Sequence, residues 1–294
     1  MSSKERLFYG SATAIVTPFK KGAVDFDALE KLIDFQISQG TDAIVVLGTT
    51  GEAPTVYEKE RQEIISVARD KINRRVPLIV GTGSNATSVA VRYSRLAKEL
   101  GADACLAVTP YYNKATDRGL FLHYEAIAKE ISIPIIAYNV PSRTGMTIPI
   151  EAYGELSKIK EITAIKEASG NLSYTCELIE KHGSRFNIYT GCDELTLSTL
   201  SMGGQGVISV VSNLVPNQMH RLCYEARQGN IEEARKIQLH LLPLIKELFS
   251  QVSPIPVKEA LSQMGLCEPE LRLPLCQSER KAQIESILKL YNLI

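Results

Sequence analysis

The sequence predicts an α/β fold, a (β/α)8 TIM barrel with a small C-terminal helical extension, and three observations predict it. Eight short apolar runs recur along the first 210 residues, helical periodicity fills the gaps between them, and the strand signal stops after about residue 212. In order, the runs are 13–17, 43–47, 78–81, 104–108, 135–139, 162–166, 187–190 and 206–210, each rich in Val, Ile, Ala or Thr. Their near-continuous apolarity implies strands covered on both faces, as in a parallel sheet beneath helices. Between the first two runs, Ala28, Leu29, Leu32, Ile33 and Phe35 fall at helical spacing, and Ile64, Ile65 and Ala68 do so before the third. Breakers stand ahead of several runs: Gln39-Gly40, Val76-Pro77, Leu100-Gly101, Ile133-Pro134 and Gly203-Gly204. Run follows run at roughly 20 to 34 residues, the size of one βα unit. Eight such units close on themselves as a barrel. An open doubly wound sheet shares the alternation. However, no GxGxxG follows the first strand and no GxxxxGK[ST] occurs, which weakens its nucleotide-binding version.

Beyond the eighth run, residues 216–229, 231–251, 256–264 and 279–293 carry helix signals. The first closes the barrel as its eighth helix. Residues 1–228 are therefore expected to form the barrel and 229–294 an extension packed on it, because about 65 residues is near the lower size for an independent core.

Composition narrows the function. The 294 residues are 45% hydrophobic and 22% charged, with 33 basic and 33 acidic side chains. That is enough apolar surface to offset the entropy of ordering the chain, and zero net charge argues against a nucleic-acid or membrane-surface partner. No apolar stretch approaches the roughly 20 residues of a membrane helix, and the first residues lack the apolar core of a secretory signal. Cys105, Cys176, Cys192, Cys223, Cys267 and Cys276 form no CxxC pair, and the four histidines do not fall at metal spacings. No metal site, no disulfide framework and a cytoplasmic location are expected.

A barrel of this kind holds its active site at the carboxyl ends of its strands. There the second run ends in Gly48-Thr49-Thr50-Gly51-Glu52, the fifth in Tyr138-Asn139-Val140-Pro141-Ser142-Arg143, the sixth holds Lys166, and the seventh ends in Gly191-Cys192-Asp193. Strand alternation puts Ile162, Ala164 and Lys166 on one face. If that face is the interior, desolvation leaves Lys166 a neutral amine able to attack a carbonyl; otherwise the side chain snorkels to water or pairs with a carboxylate. Tyr138 shares a face with Ile136 and Val140 and ends its strand as Lys166 ends the next. Strands about 4.8 Å apart let phenol and amine converge on one substrate. A phenol can shuttle protons for a carbinolamine, although a buried Tyr is also an ordinary core residue. Thr49 and Thr50 offer hydroxyls and N–H groups suited to a small carboxylate, or simply make a turn. Arg143, behind the stiffening Pro141, can grip a carboxylate with its fork or lie solvated in a loop.

Together the motifs resemble the dihydrodipicolinate synthase family. The matching pieces are ATAIVTPF (12–19), GTTGE (48–52), GTGSNAT (81–87), TPYYN (109–113), YNVPSRTG (138–145) and IKEASG (165–170). The resemblance implies a pyruvate-dependent, class I aldolase-type lyase without a metal or bound cofactor. Lys166 would form the imine with pyruvate; Tyr138 would relay protons with Thr49 and with Tyr112 reaching in from a neighbouring subunit. Thr49 and Thr50, with Gly191 and Ile208, would line the pyruvate pocket, and Arg143 would receive the carboxylate of L-aspartate 4-semialdehyde. It also implies a role in lysine and diaminopimelate biosynthesis and a homotetramer built as a dimer of dimers.

N-acetylneuraminate lyase and keto-deoxy-sugar aldolases are similar in fold and lysine, but a sugar acid needs polyol partners where this chain has Arg143. A ligand-binding barrel without chemistry is the reading from another class. The resemblance also implies a lysine-inhibition site near Ala53, Pro54, Glu58, Arg61, Asn85, Val89 and Tyr111. With Val89 in place of an acid, an effector ammonium would lose a charge-assisted partner, so weak or absent inhibition is expected.

Overall fold

The computed structural model describes residues 7–294, and its eight parallel strands close into a barrel. They are β1 Gly10–Ala14, β2 Ala43–Val46, β3 Leu78–Gly81, β4 Ala104–Val108, β5 Ile135–Asn139, β6 Ile162–Glu167, β7 Asn187–Thr190 and β8 Gly206–Ser209. Neighbours follow sequence order. Closure falls at β1, which pairs with β2 (Ala12 opposite Ala43) and with β8 (Gly10 opposite Gly206). The seam is tight: a Cβ on Gly206 would lie 1.9 Å from the Gly10 carbonyl oxygen. Only glycine allows that approach.

Helices α1 Phe26–Ser38, α2 Glu58–Ile72, α3 Thr87–Glu99, α4 Asp117–Ala128, α5 Ala152–Leu156, α6 Leu172–His182, α7 Thr196–Ser201 and α8 Pro216–Arg227 follow the strands in turn. Asp25, Thr116 and Asn171 cap α1, α4 and α6 by accepting a backbone N–H of the first turn. Two apolar layers result. One lies between strands and helices, with Ile44, Ile135 and Ile165 pointing outward. The other fills the barrel, where small Ala12, Ala43 and Ala164 alternate with Ile136, Tyr138 and Ile208.

Two expectations need correction. The first strand is Gly10–Ala14, not 13–17. Ile15 still donates to Val45, but the Val16 N–H goes to the Asn213 side chain and Thr17 donates to Gly51. The apolar run therefore continues past the sheet into a packed loop. Ile162 does not share the face of Ala164 and Lys166: pairing with β5 slips between Ile135 and Ile136, so Ile162 joins the outer layer while Ala164 stays inside. Such an irregularity re-aims side chains. A small hairpin, Phe19–Lys20 with Ala23–Val24, carried no run long enough to be read.

After α8 come α9 Ile231–Leu248, α10 Ile255–Gln263 and α11 Lys281–Leu290. The expected boundary at 228/229 lies in the turn between α8 and α9. The last helices end short of 251 and 293. α9 lies on α7 and α8 and buries Leu241, Leu244, Ile245 and Leu248. α10 is buried along Ile255 to Leu261. Among the described residues, no helix is long and apolar enough to cross a membrane.

Candidate active site

β5 and β6 bring the two central side chains together. Tyr138 is paired with Lys166 in the sheet register, and the Lys166 amine lies 4.5 Å from the centre of the Tyr138 ring. Both are buried, at 7% and 6% exposure, so Lys166 does not snorkel to water. Burial lowers the amine from 10.5 to about 8, against the opposing pull of Asp193 and Cys192. Water is excluded from a group that would hold its charge far better in solution.

Gly191, just past β7, makes the space. A Cβ there would sit 2.6 Å from Lys166 Cε and 2.7 Å from Ala168 Cβ. The register itself is held one residue further on. Glu167, pointing the other way from Lys166, accepts from Asn139 Nδ2 at 2.7 Å and from the Ser169 N–H at 2.5 Å, and Asn139 Oδ1 accepts from the Ile148 N–H. Burial is also what raises the Tyr138 phenol to about 12, with Arg143 and a hydrogen bond to Thr49 pulling the other way.

Thr49 and Thr50 sit in a tight turn in which Gly51 donates to Gly48 and Glu52 to Thr49. Those two amides are consumed within the turn, so what it can still offer a ligand comes from Thr49 and Thr50. Ile208 is fully buried in the barrel interior. Arg143 is exposed on the helical turn Pro141–Thr144 and donates from Nη2 to the Ser253 carbonyl at 3.1 Å. A cavity of about 370 Å³ runs outward from Tyr138 past Thr49 and Arg143 to Arg61, Val89 and Tyr111.

Tyr112 is not brought in. It is 93% exposed, with φ +69°, an unfavourable backbone for a tyrosine. The cavity wall of this chain uses Tyr111 instead.

Where the resemblance implies a lysine-inhibition site, Ala53, Pro54, Arg61, Val89 and Tyr111 line the outer part of this cavity. Arg61 is buried, lies 4.1 Å over the Tyr93 ring and donates to the Gly81 and Ala53 carbonyls. Glu58 is turned to Arg92 at 3.1 Å.

Three groups had no role in the sequence reading, although Glu52 and Asp193 stand in strand-end segments named there. Asp193 is fully buried, accepts the Val210 and Val211 N–H groups and is raised to about 6 by burial. The Glu52–Lys258 ion pair and the Ser253 carbonyl come from residues 206 and 110 positions away in sequence, so no local spacing reports them. A lysine and a glutamate inside otherwise apolar patterning were the available signal for α10.

Fold and site define a (β/α)8-barrel protein with a dry amine at its mouth and a phenol in register beside it. The family model described as "Dihydrodipicolinate synthetase family" matches residues 7–290. The 4-hydroxy-tetrahydrodipicolinate synthase of Geobacter sp. (strain M21) is 46% identical over 290 residues, covering 98% of this chain and all of the relative. The structure of dihydrodipicolinate synthase from Aquifex aeolicus superposes with a TM-score of 0.95 at 44% identity, covering 97% of this chain and 99% of that one. The chloride-inhibited dihydrodipicolinate synthase from Acinetobacter baumannii, complexed with pyruvate, gives 0.95 at 40% identity over the same shares. This chain belongs to the dihydrodipicolinate synthetase family.

Proposed function

We propose that the protein condenses pyruvate with L-aspartate 4-semialdehyde through an imine on Lys166, forming 4-hydroxy-tetrahydrodipicolinate. The single observation that carries this reading is the buried Lys166 amine, lowered to about 8 and paired in register with Tyr138. At pH 8 half of that amine is neutral, whereas an ordinary lysine would offer only about 0.3%. The neutral amine adds to the pyruvate ketone, and loss of water from the carbinolamine gives the imine. Tyr138, protonated throughout the neutral range, hands its proton to the departing hydroxyl and recovers one through Thr49.

The imine then acidifies the pyruvate methyl, which loses a proton to become an enamine. Its carbon attacks the aldehyde, and the resulting alkoxide takes up a proton. The substrate's own amino group next attacks the imine carbon, closes the ring and expels Lys166. One water is released overall. Thr49 and Thr50 hold the pyruvate carboxylate, with Gly191 and Ile208 shaping the pocket, and Arg143 takes the carboxylate of the aldehyde. The chemistry uses no resident cofactor or metal.

Tyr112 is assigned to a neighbouring subunit's site, in a homotetramer built as a dimer of dimers. Its exposure and backbone conformation support that role. The setting is cytoplasmic lysine and diaminopimelate biosynthesis. Borohydride reduction with pyruvate, followed by peptide mass mapping, tests the reading. A stable adduct on Lys166 is expected; an unmodified Lys166 under conditions that trap a known aldolase refutes it. Turnover of aspartate semialdehyde, and not of sialic acid, separates the synthase from the sugar-acid aldolases.

A further inference from the structure

We propose that Glu52 and Lys258 are positioning residues: a buried ion pair through which the C-terminal extension sets the Thr49-Thr50 turn for pyruvate. The inference rests on the pyruvate reading above and adds to it a part for residues outside the barrel. Glu52 closes the turn that begins at Gly48, and its backbone is left-handed at φ +53°. A non-glycine residue holds that conformation only where its surroundings fix it. Here the side chain does the fixing. Glu52 Oε1 meets Lys258 Nζ at 2.5 Å, with both side chains at most 1% exposed, and Oε2 accepts the Arg272 N–H at 3.2 Å.

The extension braces the same loop at further points. The Lys258 amine and the Arg272 guanidinium lie 4.1 and 4.2 Å from the Phe19 ring centre. Arg272 forks onto Glu60 at the start of α2 and donates to the Thr55 carbonyl. Thr17, beyond β1, donates to the Gly51 carbonyl. The turn is therefore anchored at Gly51 by the barrel and at Glu52 by α10, leaving Thr49 and Thr50 between the end of β2 and these fixed points. In this pair a displaced partner would leave a bare charge in a dry site, which favours the one geometry that keeps both partners together.

The test uses the full-length protein carrying Lys258→Met or Glu52→Gln with Lys258→Met. The double variant removes both charges, so it does not leave an unpaired ion to unfold the chain. Sites competent for imine formation are counted by borohydride titration, and KM is measured for each substrate. In both variants KM for pyruvate should rise tenfold or more, while KM for aspartate semialdehyde stays within twofold. General loss of structure would lower the number of competent sites and leave both KM values unchanged. Should both variants fail to fold, Glu52→Asp keeps the charges and withdraws the carboxylate by one methylene, and the same split is expected. A folded variant of this set with wild-type KM for pyruvate overturns the proposal. Wild-type protein that pyruvate and borohydride do not modify overturns the functional reading instead.

Discussion

Removing the charge at position 166 should make the protein more stable and inactive. In the folded state the amine titrates near 8, against 10.5 for an ordinary lysine, and burial is the main cause. At about 1.4 kcal/mol per tenfold change, that gap puts the folding penalty at roughly 3 kcal/mol at pH 7. Part is offset in the native protein by the cation over the Tyr138 ring, worth about 0.5–2 kcal/mol in such sites. In Lys166→Met a thioether takes its place against the ring and recovers a similar amount. A net gain of about 3 kcal/mol follows, or roughly 6–12 °C in Tm for a protein of this size. The sign can be checked by pH. The unfolded lysine binds its proton more tightly, so the penalty is complete below pH 8. It shrinks between 8 and 10.5 and vanishes above. Thermal unfolding of both proteins at one fixed concentration, from pH 7 to 10.5, should show a gain that declines to nothing. A variant no more stable than wild type at pH 7, or a gain unchanged at pH 10.5, would refute the claim that this amine is held dry.

Four further outcomes are expected. Tyr138→Phe should lower kcat by about 10²–10⁴ through loss of the proton shuttle, while pyruvate is still slowly trapped on Lys166. Gly191→Ala drives a methyl against Lys166 Cε, and overpacking there should cost about 1–3 kcal/mol and reduce trapping at saturating pyruvate. If Tyr112 acts across a two-fold interface, chains carrying Tyr112→Ala and Lys166→Met, each inactive or weak alone, should complement. Random reassortment of an equal mixture would restore about a quarter of the sites, and no recovery would overturn the assignment of Tyr112 to a neighbour's site. Lysine should inhibit the steady-state rate weakly or not at all, because Val89 at that end of the cavity supplies no acid to pair with its ammonium; half-inhibition in the micromolar range would contradict this.

Most of the barrel was legible because each strand is buried on both faces. A short apolar run just ahead of a helical stretch fits a covered parallel strand and little else. Legibility failed where burial and strand identity part company. Ile15 and Val16 are as buried as any strand residue, yet Val16 bonds to a side chain 197 positions away, and no alternation reports that. The slip at Ile162 is of the same kind: the run continues smoothly in sequence while the pairing shifts by one. Ala164 and Lys166 both lie beyond the irregularity, and the structure decides for the buried placement of Lys166 that the sequence left open against a solvent-facing one.

The site divides along the same line. Lys166, Tyr138, Thr49, Thr50 and Arg143 could be placed near one another because each lies at or just past a strand end, where the fold converts sequence position into spatial position; the roles expected of them came from the family resemblance alone. What holds them was hidden. Arg143 is steadied by a backbone carbonyl of residue 253, and the Thr49-Thr50 turn by a lysine on α10, and a contact across two hundred residues leaves no periodic mark. The extension looks dispensable in sequence because it adds helices after the barrel is complete. Its buried Lys258 argues otherwise: an amine at 0% exposure has no reason to be there for packing alone, since an apolar residue of that volume would cost less to bury.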